Sequence, residues 1–131
     1  MRLTDDQRRV AVELLIEKSD RNLQQAIVNA QLGFWDLVAN RLYYSIFHIV
    51  TAMLLKDGIK VHSHKGTSSQ FGKYYVLTGK FAREDGILYS RLQTMREKAD
   101  YQNVFSLDDA VGNNLVSQAR ELQEKIKKFL E

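Results

Sequence analysis

Residues 40–55, NRLYYSIFHIVTAMLL, form the most apolar stretch of this chain and carry much of its aromatic content. Arg41, Ser45 and His48 lie within the stretch at intervals of four and three residues. On a helix that turns about 100° per residue, these three side chains fall on one face. A helix that is apolar on nearly all sides belongs in the middle of a bundle, where polar side chains need partners. The stretch therefore predicts a central helix whose polar face is either a satisfied hydrogen-bond network or a functional surface.

The rest of the chain also favours helices. It contains no proline, and no segment combines strict alternation with β-branched enrichment, as a strand would. Apolar residues recur at helical spacing, including Val10 and Leu14 near the start. We predict helices over Asp5–Gln31, Trp35–Lys56, residues 67–77 and residues 84–101, and a last helix that starts after a Ser106 cap. The predicted fold is all-α: an up-and-down bundle of about five helices in a single domain, residues 1–131.

Composition narrows the chemistry. The chain has no cysteine, which excludes thiolate nucleophiles and cysteine-based metal centres. A net charge of +3 allows contact with RNA or with an acidic partner. The start of the chain lacks the apolar segment of a leader, and Ser45, His48 and Thr51 interrupt the apolar stretch. We therefore expect a cytoplasmic protein without a membrane span.

A glycine-bounded loop, residues 58–66, contains His62 and His64. A metal site needs a third and usually a fourth ligand, and none is indicated nearby, so we predict no metal and no cofactor. His64 and Lys65 precede a helix start and could contact a phosphate. A solvated loop with a helix cap explains the same residues.

Five short motifs occur in order along the chain. RLYYSIFH (residues 41–48) is followed by His64-Lys65-Gly66, then by Phe71-Gly72 and a Thr78-Gly79 break, and finally by REKADY, residues 96–101. This arrangement resembles the HEPN domain (higher eukaryotes and prokaryotes nucleotide-binding), in the branch with R-x-Y-Y-x-x-F-H and R-x-x-A-D-Y motifs. The resemblance implies a helical bundle that forms a homodimer and is associated with nucleotides or RNA. It also implies a minimal nucleotidyltransferase partner in a toxin–antitoxin or defence pair.

Many HEPN proteins are metal-independent endoribonucleases with an Arg-x(4–6)-His motif at the dimer interface. Arg41 and His48 have this spacing but lie on the second helix. In the ribonuclease branches the motif is typically late in the bundle, where this chain has Arg96 followed by Asp100 and Tyr101 without a histidine. The chain departs from the ribonuclease pattern at that position.

The candidate site residues are therefore Arg41 and His48 for catalysis, with further residues for binding. The binding candidates are Tyr44, Ser45, His64, Lys65, Arg96, Asp100 and Tyr101. Arginine binds phosphate oxygens bidentately and histidine titrates near neutrality, as RNA cleavage without a metal requires. The alternative is structural: Arg41 pairs with an acid, His48 bonds Tyr44 or a backbone carbonyl, and Arg96 pairs with Asp100 one turn on.

Three functions follow. The first is a nucleotide- or RNA-associated module that acts with a nucleotidyltransferase. The second is an endoribonuclease that uses Arg41 and His48, and the third is a non-catalytic dimeric scaffold. Whether Arg41 and His48 line an open cleft decides between a functional and a structural polar face.

Overall fold

The computed structural model describes residues 2–61 and 63–131. These contain α1 (Asp5–Gln31), α2 (Trp35–Lys56), α3 (His64–Phe71), a π-helical turn (Gly72–Val76), α4 (Arg83–Tyr101) and α5 (Asp109–Leu130). No strand occurs in the described residues. The predicted all-α bundle of about five helices is confirmed.

The ends of α1 and α2 follow local signals in the sequence. Thr4 caps α1 by accepting from the backbone N–H of Gln7, whose side chain accepts from the N–H of Thr4 in return. This capping box fixes the start of α1. After α2, Gly58 takes a φ of 73°, a left-handed conformation that glycine adopts without strain. Both helices have the predicted bounds.

α2 is the central helix and packs against α1, α3, α4 and α5. Its fully buried side chains include Leu42, Tyr43, Ile46 and Ile49. By length and composition alone α2 could cross a membrane, but most of its apolar window is buried inside the bundle. This burial is what the core helix of a bundle requires.

The α1 stripe predicted from Val10 and Leu14 is wrong at these two residues, which are 46% and 53% exposed. The residues of α1 that face the core are Val12, Ser19, Leu23 and Ala26. They too are spaced for one helix face, but the face includes a serine. The periodicity also includes Ala26, which is buried as expected, and the error is confined to the first half of α1, where apolar spacing alone does not indicate a face that contains Ser19.

The third helix differs most from its prediction, residues 67–77. The Ser63 hydroxyl accepts from the backbone N–H of Gly66 at 3.2 Å, so α3 already starts at His64. The helix then widens: the Leu77 N–H donates to the Gly72 carbonyl, an i→i+5 bond that defines the π turn. The loop is therefore shorter than residues 58–66.

The last helix begins after Asp108, whose carboxylate accepts from the N–H of Ala110, and not after the predicted Ser106. Asp108 and Ser106 are both good caps, and only the nearer one bonds the first turn. The inward residues of α5 recur at helical spacing. They are Leu115, Ala119, Leu122, Ile126 and Leu130, all buried.

Candidate functional site

α1 and α2 run antiparallel after a tight turn, and a cleft opens along their outer seam. A pair of buried serines sets the register, because Ser19 Oγ donates to the Ser45 carbonyl at 2.7 Å and Ser45 Oγ donates to the Ser19 carbonyl at 3.0 Å. The cleft has a volume of about 360 Å³. It is lined by Lys18, Arg21, Asn22 and Gln25 of α1 and by Arg41, Tyr44 and His48 of α2. We call it the basic cleft.

The basic cleft is strongly positive. Lys18, Arg21 and Arg41 contribute three cations, and no carboxylate is among the lining residues. None of the three forms an ion pair with an acid in the described part of the chain. The ion pair between Arg41 and an acidic residue, which the sequence suggested, is therefore not formed among the described residues. Uncompensated cations along a concave surface attract anions.

His48 is half-buried at one end of the basic cleft. Burial is the largest cause that lowers its pKa, followed by the positive charge of Lys18 and by His64. Its Nδ1 is buried from solvent and has no hydrogen-bond partner among the described residues. The suggested bond between His48 and Tyr44 is not formed, although their ring centroids are 6.0 Å apart. The lowered pKa favours the neutral imidazole, which has one nitrogen able to accept a proton.

Ser45 does not share this cleft. Its side chain is fully buried and satisfied by Ser19, whose hydroxyl also accepts from Gln123 Nε2 at 3.3 Å. The polar face of α2 therefore divides into two parts. Ser45 belongs to a structural network, whereas Arg41 and His48 line the open cleft.

Tyr44 joins the basic cleft to α4. Its hydroxyl accepts a hydrogen bond from Arg96 Nη2 at 3.0 Å. Arg96 Nε lies 3.0 Å from Asp100 Oδ2, and both Asp100 carboxylate oxygens accept from Asn40 Nδ2. The REKADY motif is thus bonded to the RLYYSIFH helix through Arg96 and Asp100. Tyr101, by contrast, is 77% exposed.

His64 meets the same aromatic cluster from α3. Its ring is stacked on Phe47 with centroids 4.2 Å apart and an angle of 6° between the planes. Tyr43 Oη lies 3.4 Å from His64 Nδ1, and burial raises the pKa of Tyr43 to about 12, so the phenol stays protonated. Lys65, the next residue, is exposed.

The other histidine of the predicted loop, His62, lies outside the described residues. Within residues 2–61 and 63–131, no group of three or more His, Asp or Glu side chains could hold a metal ion.

Sequence reasoning missed the α1 half of the basic cleft. Lys18, Arg21 and Gln25 recur at intervals of three and four residues and thus share one face of α1. This stripe could have been found in the sequence. Its position opposite Arg41 and His48 could not, because the Ser19–Ser45 contact that sets the register joins distant parts of the chain.

Comparison with known proteins extends this picture. Residues 12–130 match the model of the HEPN domain family. A UPF0332 protein of Thermotoga maritima is 30% identical over 123 residues, which cover 91% of this chain and 93% of that protein. Two proteins of Methanocaldococcus jannaschii, both named as candidate toxins, are each 28% identical. Those matches cover 91% and 93% of this chain, and 81% and 90% of the respective relatives.

The family match spans nearly the whole helical bundle, from within α1 to the end of α5. It therefore includes the basic cleft, the aromatic cluster and the α2–α4 contacts. The chain belongs to the HEPN domain family.

Proposed function

We propose that this chain is a toxin-type HEPN module that binds the phosphates of RNA or of a nucleotide in the basic cleft. One observation carries the proposal: Lys18, Arg21 and Arg41 line an open cleft without an acidic partner among the described residues. The similarity to relatives named as candidate toxins supports the cellular role.

The side chains of the cleft suit phosphate. Arginine donates two parallel hydrogen bonds to phosphate oxygens, and lysine adds a point charge. Asn22 and Gln25 are amides that can donate to further oxygens or to a sugar. The cleft follows two helices, so it fits an extended strand and its successive phosphates.

Binding of a fluorescent single-stranded RNA, measured by anisotropy over a range of salt, tests the proposal. Arg41→Gln and the double variant Lys18→Gln/Arg21→Gln should weaken binding and flatten its dependence on salt. The expected change in slope is about 0.7 per lost phosphate contact. Lys128→Gln, which removes an exposed charge on α5, is the matched control. Equal losses in the control and in the cleft variants would indicate general attraction to a basic protein and contradict the proposal.

The partners implied by the family form part of the same proposal. Val10 and Leu14 are exposed on α1, and a groove of about 440 Å³ lined by Ala11, Leu14 and Leu15 continues to Lys18. An exposed apolar surface of this kind supports self-association next to the cleft. Leu14→Glu should convert a dimer to a monomer in light scattering, and a monomeric wild-type protein would contradict the dimer. Co-purification with a nucleotidyltransferase encoded in the same operon would test the second partner.

A second candidate function, cleavage of RNA without a metal, is favoured by the state of His48. Its lowered pKa favours the neutral imidazole that a general base requires, and His48 and Arg41 line the same cleft. In this reaction the 2′-hydroxyl gives its proton to His48 and attacks the phosphorus. The bond to the 5′-oxygen breaks, that oxygen takes a proton from the protonated imidazolium form of His48 in a second copy, and a 2′,3′-cyclic phosphate forms.

Cleavage is tested by incubating RNA with the protein in EDTA and identifying the ends of the products. His48→Gln should slow formation of the cyclic phosphate by about 100-fold or more, since general acid–base catalysis contributes at least that much. Lys128→Gln should retain the wild-type rate. If wild-type protein at high concentration leaves the RNA intact, this chain alone does not cleave RNA, and the binding proposal stands by itself. If the protein neither cleaves nor binds RNA, the non-catalytic dimeric scaffold is the function that remains.

A further inference from the structure

The stacked pair His64–Phe47 lies beside the basic cleft and is not used by the proposed phosphate contacts. Phe47 covers one face of the imidazole at 4.2 Å and 6°. His64 is nevertheless an exposed residue, and it is the first residue of α3. A flat ring with one face covered and its residue exposed is suited to receive another ring.

The imidazole is held in a defined orientation. Tyr43 Oη lies 3.4 Å from Nδ1, and the Tyr44 ring meets His64 edge-on, with centroids 5.9 Å apart and planes at 84°. Ser63 fixes the backbone just before His64 by capping α3. A side chain in three such contacts loses little further conformational freedom when a ligand stacks on it.

The stack and the cleft share their neighbours. Tyr44 lines the basic cleft and contacts His64, and Phe47 lies 5.4 Å from the ring of His48. A ring stacked on His64 would therefore be separated by a single side chain from a phosphate bound near Tyr44 and His48. In a nucleotide, base and phosphate are likewise joined through a single sugar.

We propose that His64, supported by Phe47, is a stacking platform for a nucleobase whose phosphate lies in the basic cleft. The inference rests on the proposed phosphate-binding function and adds the base subsite. Stacking on an imidazole uses the π-face that every base has, so the platform accepts unpaired bases with little preference for sequence. Bases within a duplex are stacked on each other and are excluded.

The test separates base from phosphate. Binding of a short single-stranded oligo(A) is compared with binding of an abasic oligomer that has the same number of phosphates. Wild-type protein should bind oligo(A) more tightly by about 5- to 100-fold, the range that stacking of one base provides. His64→Ala should reduce oligo(A) binding to the abasic level and leave abasic binding unchanged. His64→Phe, which keeps a ring on Phe47, should retain most of the difference.

If His64→Ala weakens both oligomers equally, or neither, the platform is overturned, while abasic binding by the wild type still supports the cleft. If wild-type protein binds neither oligomer, the proposed function fails and the platform fails with it. Circular dichroism and thermal unfolding of His64→Ala and His64→Phe establish that both variants fold.

The same comparison with AMP and ribose 5-phosphate identifies the source of the base. A gain for AMP that His64→Ala removes assigns the platform to free nucleotides. A gain confined to oligo(A) assigns it to an RNA strand. The absence of a gain in both pairs overturns the platform.

Discussion

The guanidinium of Arg96 donates a hydrogen bond to the Tyr44 hydroxyl at 3.0 Å and thereby joins the two most distinctive motifs of the chain. The same guanidinium lies over the rings of Tyr43 and Tyr44, 5.5 and 5.4 Å from their centroids. Asp100 Oδ2 lies 3.0 Å from its Nε, so Arg96 contacts both Tyr44 of α2 and Asp100 of α4. From α4, Arg96 thus holds the side chain of Tyr44, which lines the basic cleft.

Tyr44→Phe removes the acceptor but keeps the ring. A hydrogen bond to a charged, largely buried donor typically contributes about 1.5–3 kcal/mol, and Arg96 retains Asp100. We expect the free energy of unfolding in urea to fall by about 1–2 kcal/mol. Tyr101→Phe is the matched control, since this tyrosine is 77% exposed and should change stability by less than about 0.5 kcal/mol. Equal effects of the two substitutions would show that the Arg96–Tyr44 hydrogen bond does not stabilise the fold.

Gly112 of α5 lies against Trp35, the first residue of α2. A Cβ at position 112 would be 2.5 Å from Trp35 Cζ3, much closer than van der Waals contact. Gly112→Ala should therefore destabilise the protein by about 1–3 kcal/mol, although alanine favours helices by about 1 kcal/mol over glycine. Thermal or urea unfolding measures the change.

Gly72 provides the opposite case for the same substitution. It has a φ of −59°, and a Cβ there meets nothing within 4 Å. Gly72→Ala should be neutral or stabilising by up to about 1 kcal/mol, because it restricts the unfolded chain. A stabilised Gly112→Ala protein would mean that Trp35 moves away without cost.

The sequence predicts helices well where their ends depend on neighbouring residues. The Thr4–Gln7 capping box and Gly58 are local signals, and the bounds of α1 and α2 agree with the structure. The third helix is predicted to start at residue 67, after Gly66, but the cap at Ser63 starts it at His64. The π turn that follows adds a residue to the helical repeat, which apolar periodicity does not reveal.

The candidate site was predicted only in part for a different reason. Arg96 and Asp100 are one turn apart, so their pairing follows from spacing. The contacts of Arg96 with Tyr44, and of His64 with Phe47, join residues that are distant in sequence. No periodicity indicates which helix faces meet, so these contacts and the cations of α1 required the structure.

Ser45 and Ser19 should behave as a coupled pair. Ser45→Ala leaves Ser19 with one partner fewer in a fully buried position, and we expect a loss of about 1 kcal/mol in the free energy of unfolding. Ser19→Ala should cost about as much. The double variant should cost less than the sum, since removing both partners leaves fewer unsatisfied groups. Strict additivity in urea unfolding would contradict the network. Ser45→Ala should weaken phosphate binding less than Arg41→Gln does, because Ser45 is closed off from the cleft and acts only through the register of α1 and α2.

His48 should make stability depend on pH. Its pKa in the folded protein is lowered from 6.5 by burial, by Lys18 and by His64, so at falling pH the unfolded chain binds a proton that the folded protein does not. The free energy of unfolding then decreases as pH drops below about 6.5, because the unfolded chain binds more protons and is favoured at lower pH. His48→Gln should flatten the slope of unfolding free energy against pH between about 7.5 and 5.5, above the range in which most carboxylates titrate.

Gln25→Ala, which alters the same cleft without removing a titrating group, should keep the wild-type slope. If the His48→Gln and wild-type slopes coincide, the imidazole is hydrated like an exposed one, and its role as a neutral base in the proposed cleavage loses its physical basis.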